Sequence, residues 1–161
     1  MDFTAMLGRF AEAVRGNDGA GLAALFTADG VYEDGFFGPH RGAGPIGAML
    51  QRFHDGGRDY WWEFVEPVCV GEMGYARWRF SYASRRAGAE GRPVLFEGIS
   101  QFRLRGGLIA HYFEVFDRGL ALSQQGYPAE GIASVVGRAA ARQNAKAESR
   151  AHLGRFGQTG Q

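Results

Sequence analysis

Apolar residues recur at spacings of three and four through residues 3–15, at Phe3, Met6, Leu7, Phe10 and Val14, the stripe of an amphipathic helix. The run Gly16-Asn17-Asp18-Gly19 stops it, and Asp18 is placed to cap a second short helix containing Leu22, Leu25 and Phe26. A strand over residues 31–34 follows. Residues 45–54, opening at Pro45 and carrying Ile46, Met49, Leu50 and Phe53, predict a third helix. The period then changes from helix to strand. Segments 60–70, 75–84, 94–105 and 108–117 are rich in aromatic and β-branched residues, with glycine turns at 71–74, 88–91 and 106–107 between them. Such turns predict consecutive antiparallel hairpins, with Pro67 at an edge or a bulge. Residues 119–126 read as a connector. A helix is expected near Pro128, using Ile132, Val135 and Val136, and beyond about residue 142 apolar periodicity is lost.

Helices followed by an antiparallel sheet predict an α+β domain whose helices pack on one face of a curved sheet. A chain of 161 residues fits one such domain, expected over 1–142, with 143–161 as a flexible, frayed or disordered tail. With 18 basic and 17 acidic side chains the net charge is +1, and the basic residues are scattered until the C-terminus. That excludes the concentrated positive face nucleic acid requires. The single cysteine, Cys69 in Pro67-Val68-Cys69-Val70, offers no disulfide framework and reads as a small buried hydrophobe. Residues 1–16 are broken by Asp2, Arg9, Glu12 and Arg15 and contain no apolar signal segment, and no later stretch is apolar enough to span a bilayer. A cytoplasmic location and no membrane partner are expected.

The stretch Val31-Tyr32-Glu33-Asp34-Gly35-Phe36-Phe37-Gly38-Pro39 carries a carboxylate into an aromatic turn. Taking Asp34 out of water would raise its pKa and make it a better proton acceptor near neutral pH. The alternative is a turn Asp that hydrogen-bonds its own backbone beside Gly35.

Two segments, Leu25-Phe26-Thr27-Ala28-Asp29-Gly30-Val31-Tyr32-Glu33-Asp34 and the final hairpin from Gly98 to Asp117, resemble the nuclear transport factor 2-like superfamily. That superfamily includes ketosteroid isomerases, SnoaL-like polyketide cyclases and limonene epoxide hydrolases. The resemblance spans about residues 3–135 and implies a cone-shaped curved sheet with the N-terminal helices on its concave face, enclosing a pocket. It places Asp34 at the general-base position of the ketosteroid isomerases. Their oxyanion tyrosine falls at Phe10, which has no hydrogen to donate, and their protonated aspartate falls near Ser100. Each missing donor removes a few kcal/mol of transition-state stabilisation, so steroid isomerisation is not expected.

With Asp34 and Ser100 facing the cavity, strand alternation turns Tyr112, Glu114 and Phe116 inward and His111 outward. The same register turns Trp62, Phe64, Trp78, Phe80, Tyr82 and Phe96 inward. The Asp-Arg-Asp arrangement of the epoxide hydrolases finds no match, because Arg77, Arg79 and Arg103 point outward. The expected site is an aromatic cup with Asp34, Tyr112, Glu114 and Tyr32 as catalytic candidates. Phe10, Trp62, Trp78, Phe80, Phe96, Ser100, Phe116 and His40, the last on a rim loop, are the substrate-binding candidates. Glu114 could instead be salt-bridged to a neighbouring arginine, and the tyrosines could be satisfied core residues. His54 and His111 read as surface groups. No histidine has metal-ligand spacing, the glycines match no phosphate-binding pattern, and no cofactor is implied. The function expected is a SnoaL-like enzyme transferring protons on a small, apolar, cyclic substrate, or a non-catalytic binding module of the same fold. Outward Trp61, Val65, Ile99, Phe113 and Val115 are too apolar for solvent, so a homodimer through the outer sheet face is expected.

Overall fold

In the computed structural model, which describes residues 2–157, helix α1 runs Phe3–Arg15, the length its apolar stripe predicts. The Asp2 carboxylate caps it by accepting from the Ala5 N–H, and the helix buries Phe3, Met6, Leu7, Phe10 and Val14. Asp18 caps α2 (Gly19–Ala23) by accepting from the Gly21 N–H at 2.7 Å. This helix is shorter than the sequence suggests. Leu25 and Phe26 leave it, and Phe26 opens strand β1 (Phe26–Asp34). The expected rim loop pairs back on β1 as a short strand, β2 (Gly38–Arg41), before α3 (Ala43–Gly56) buries Ile46, Met49 and Leu50.

Four long strands follow, β3 (Gly57–Val70), β4 (Met73–Ser84), β5 (Pro93–Arg105) and β6 (Leu108–Phe116), joined as the antiparallel hairpins the glycine turns predict. The sheet order is β2-β1-β6-β5-β4-β3. One pairing departs from the antiparallel expectation: β1 lies parallel to β6, with Tyr32 beside Tyr112 and Glu33 beside Phe113. Pro67 sits where the β3–β4 register breaks between Val65 and Val68, and Glu66 there has φ +52°, a bulge on an edge strand. Cys69 is exposed, against the buried role expected of it. It lies opposite Gly74 beside the β3–β4 turn, where residues 68–72 are all exposed.

The connector expected at 119–126 is largely helical. Asp117 accepts from the Leu120 N–H at 2.9 Å and caps α4 (Arg118–Gln124), so β6 ends one residue earlier than its apolar pattern implies. These elements form one compact unit, Met1–Gly126, whose core lies between α1–α3 and the inner sheet face. A second unit, Tyr127–Gln161, contains α5 (Ala129–Asn144), which starts right after Pro128, and α6 (Ala147–Leu153). The polar run beyond residue 142 is mostly helical through residue 153. Its Ala, Gln, Glu and Arg residues favour helix intrinsically, without an apolar stripe. Residues 158–161 of the expected tail lie outside the described residues. No described helix is long and apolar enough to cross a membrane.

Candidate active site

Strand pairing aligns the inner-face side chains into rows. Across β2, β1, β6 and β5 one row reads His40, Tyr32, Tyr112 and Phe102. The next contains Asp34, with Glu114 paired to Ser100. The two after it read Phe116, Gly98, Trp78 and Phe64, then Phe96, Phe80 and Trp62. The register drawn from alternation is the one observed. Of the twelve candidate residues, Asp34, Tyr112, Glu114, Tyr32, Phe10, Trp62, Trp78, Phe80, Phe96 and Ser100 are buried, and Phe116 and His40 are half-buried.

Glycines make room for this aromatic layer. A Cβ at Gly98 would overlap the Trp78 indole and the Val115 carbonyl, and one at Gly35 would overlap the Phe116 ring. Phe10, fully buried on α1, fills the middle. Its ring lies 5.3 Å from Tyr112, 5.4 Å from Trp62, 5.6 Å from Phe64 and 5.9 Å from Tyr32. Phe10 brings no hydrogen-bond donor to the centre of the layer.

The polar groups form a buried chain. Trp78 Nε1 donates to Ser100 Oγ at 2.8 Å, Ser100 donates to the Tyr112 hydroxyl at 2.7 Å, and Tyr112 donates to Glu114 Oε2 at 2.6 Å. Glu114 Oε1 accepts from the Gly35 N–H at 3.1 Å. Asp34 Oδ1 accepts from the N–H groups of Phe36 (2.8 Å) and Phe37 (2.6 Å), so the turn Asp reading of this residue describes half of its surroundings. The other half is burial, since only 4% of Asp34 and 5% of Glu114 is exposed, and among the described residues neither carboxylate has a salt bridge.

Burial pushes the Asp34 pKa up to about 6, against the lowering effects of the Phe37 and Phe36 N–H groups and, more weakly, of Arg118 and Arg52. Burial and then the neighbouring Asp34 charge push Glu114 up to about 8. Burial, reinforced by the Glu114 charge, raises the Tyr32 and Tyr112 phenols well above their ordinary range, so both remain neutral donors. The Tyr32 hydroxyl and Trp62 Nε1 are buried without a well-formed hydrogen bond, as is His40 Nε2. Burial, and then Arg52, lower the His40 pKa.

Two contributors escaped the sequence reading. Arg118 Nε donates to the Gly35 carbonyl, and the Gly35 N–H holds Glu114, so this turn links β6, α4 and both carboxylates. An arginine following a capping Asp carries no signal of that role. The other histidines stand apart from the carboxylates. His54 is half-buried, not a surface group, with Nε2 2.7 Å from the Val14 carbonyl. His111, also half-buried, lies 3.3 Å from Glu33. On the outer face Arg77 pairs with Glu97 at 3.1 Å, Arg79 bridges Glu97 and Glu63, and Arg103 is exposed. No group of His, Cys, Asp and Glu that could hold a metal occurs among the described residues.

The fold recurs in solved structures. A protein of Catenulispora acidiphila with a ketosteroid isomerase-like fold, crystallised with trimethylamine, superposes with a TM-score of 0.70 at 21% identity, over 78% of this chain and 95% of that one. IdmH of Streptomyces antibioticus, described as a candidate polyketide cyclase, matches at 0.64 and 20% identity over 77% and 98%. An LEH-like epoxide hydrolase of M. tuberculosis matches at 0.61 and 17% identity over 83% and 94%. No curated protein matches by sequence. The SnoaL-like domain matches residues 7–112, from α1 through Tyr112 at the heart of the buried chain, and the protein therefore belongs to the SnoaL-like family.

Proposed function

We propose that the protein is a cofactor-independent enzyme that moves a proton on a small, largely apolar, cyclic substrate. The observation that carries this reading is the pair of buried carboxylates, Asp34 and Glu114, held without an arginine salt bridge against an aromatic layer. Two neighbouring carboxylates in a dry site do not both ionise readily, so near neutral pH the pair retains one proton. Asp34 is the member ionised near neutral pH and so free to act as base, because the Phe36 and Phe37 N–H groups favour its charged form. Glu114 keeps the proton. Asp34 then accepts a proton from the substrate or from water, while Glu114 and Tyr112 orient and polarise the reacting group. Tyr32 and Trp62, with unused polar hydrogens, supply further contacts for an oxygen-bearing substrate, and Phe10, Trp78, Phe80, Phe96 and Phe116 supply its apolar walls.

Isomerase, cyclase, dehydratase and hydrolase chemistry all begin with such a transfer. The folds shared with a candidate polyketide cyclase and an epoxide hydrolase support small-molecule chemistry of this kind. The test is a screen of ketones, enones and epoxides followed by Asp34→Asn. Loss of a positioned base should lower turnover about 10²- to 10⁴-fold. Full turnover by the variant rules Asp34 out as the base.

A binding module without catalysis is the second reading, favoured by the Asp34 hydrogen bonds to its own turn and by Phe10 filling the cup. Saturable binding of screened compounds with no turnover of any would select it. The outer sheet face, with Trp61, Leu95, Ile99 and Val115 each about half exposed, supports a homodimer in either case. A monomer by sedimentation refutes that part.

A further inference from the structure

The chain from Trp78 to Glu114 has a direction, and one end of it is chemically fixed. An indole N–H can only donate, so Ser100 Oγ must accept from it. Ser100 is fully buried, and among the described residues its own hydrogen has one acceptor, the Tyr112 hydroxyl. That oxygen, already receiving a proton donor, turns its hydrogen to Glu114 Oε2. Reversing the middle link would strand the serine hydrogen in a dry site, and a buried unsatisfied polar group is costly.

We propose that Ser100, held by the Trp78 N–H, is a positioning residue that fixes the direction of this chain, so that Glu114 receives a hydrogen bond from Tyr112 and its ionised form is favoured. The inference builds on the reading of Asp34 and Glu114 as a proton-transfer pair and names what sets the balance between them. Glu114 is faced by Asp34 and Tyr32 from β1, Tyr112 from its own strand, Ser100 from β5 and Arg118 from the start of α4. Burial and the Asp34 charge oppose its ionisation, and Tyr112, the Gly35 N–H and Arg118 favour it. Ser100 carries no charge, so it acts on Glu114 only by orienting Tyr112. With the Ser100 hydroxyl gone, the Tyr112 oxygen no longer receives a hydrogen from β5. Tyr112 can then accept from a protonated Glu114, and the neutral acid gains a partner.

The test needs no substrate. The protonated carboxyl stretch of Glu114 is followed by infrared difference spectroscopy on the intact protein against pH, assigned by its absence in Glu114→Gln. Ser100→Ala, which removes a single oxygen, should raise the Glu114 midpoint by about one pH unit, the size of one charge-assisted hydrogen bond, and Tyr112→Phe should raise it at least as much. A midpoint unchanged in Ser100→Ala, with a shift in Tyr112→Phe alone, overturns the proposal and leaves Ser100 as packing. Failure of the catalytic reading would show instead as absent turnover with these midpoints shifting as expected.

Discussion

Replacing Glu114 by glutamine should change how the protein's stability depends on pH, and the sign is fixed by the site. Both carboxyl pKa values are raised on folding, so the folded protein holds these protons more tightly than the unfolded chain. The stability this contributes is fully present below about pH 4 and is lost as pH rises through about 6 and then about 8. For Glu114 the rise is from 4.5 to about 8. At about 1.4 kcal/mol per pH unit this is on the order of 5 kcal/mol. Part of it belongs to the interaction with Asp34, so the share that a single substitution removes is on the order of 3 kcal/mol. Glutamine keeps the shape but must turn a donor toward either the Gly35 N–H or the Tyr112 hydroxyl, losing one hydrogen bond worth about 1 kcal/mol. Glu114→Gln should therefore be less stable than the parent at pH 5 and more stable at pH 9. Urea unfolding at pH 5, 7 and 9 measures both curves. Parallel curves across that range would refute the claim that a carboxylate at Glu114 is buried against its charge.

Three further substitutions probe the packing that places the site. Gly98→Ala forces a methyl into the Trp78 indole and the Val115 carbonyl, and should cost about 1–3 kcal/mol in chemical denaturation while shifting the near-ultraviolet tryptophan circular dichroism. An unchanged spectrum would mean that Trp78 does not lie across β5. Phe10→Ala empties the centre of the aromatic layer and should lower stability by about 3–5 kcal/mol in the same assay. Asp18→Ala removes the α2 cap and should cost about 1 kcal/mol, with Asp18→Asn restoring most of it in thermal unfolding.

Much of the fold is legible because it is local. The stripe from Phe3 to Val14 gives α1 at its observed bounds, Asp18 gives a cap, and the glycine pairs give three hairpins in order. Once one inward residue is set, the two-residue period of a strand turns every second side chain the same way. Asp34, Ser100, Tyr112, Glu114 and Trp78 are therefore placed on one face by alternation alone. Local signals failed where a capping or pairing partner competes with periodicity. Asp117 starts a helix inside an apolar run, and Phe26 leaves a helical stripe to begin β1.

The candidate site depended on contacts between distant segments. Nothing in residues 31–35 or 108–118 announces that β1 lies parallel to β6, yet this pairing sets Tyr32 beside Tyr112 and lets the Gly35 N–H reach Glu114. The missing side chain of Gly98 matters only because Trp78 of the next strand crosses it to reach Ser100. The amino-acid sequence by itself determined the elements, their capping and the inward face, because propensity, periodicity and turns act over a few residues. Only the tertiary structure decided that the Gly35 N–H reaches Glu114 and that Trp78, Ser100 and Tyr112 form a buried hydrogen-bonded chain to it, because burial and charge coupling exist only between segments brought together by folding.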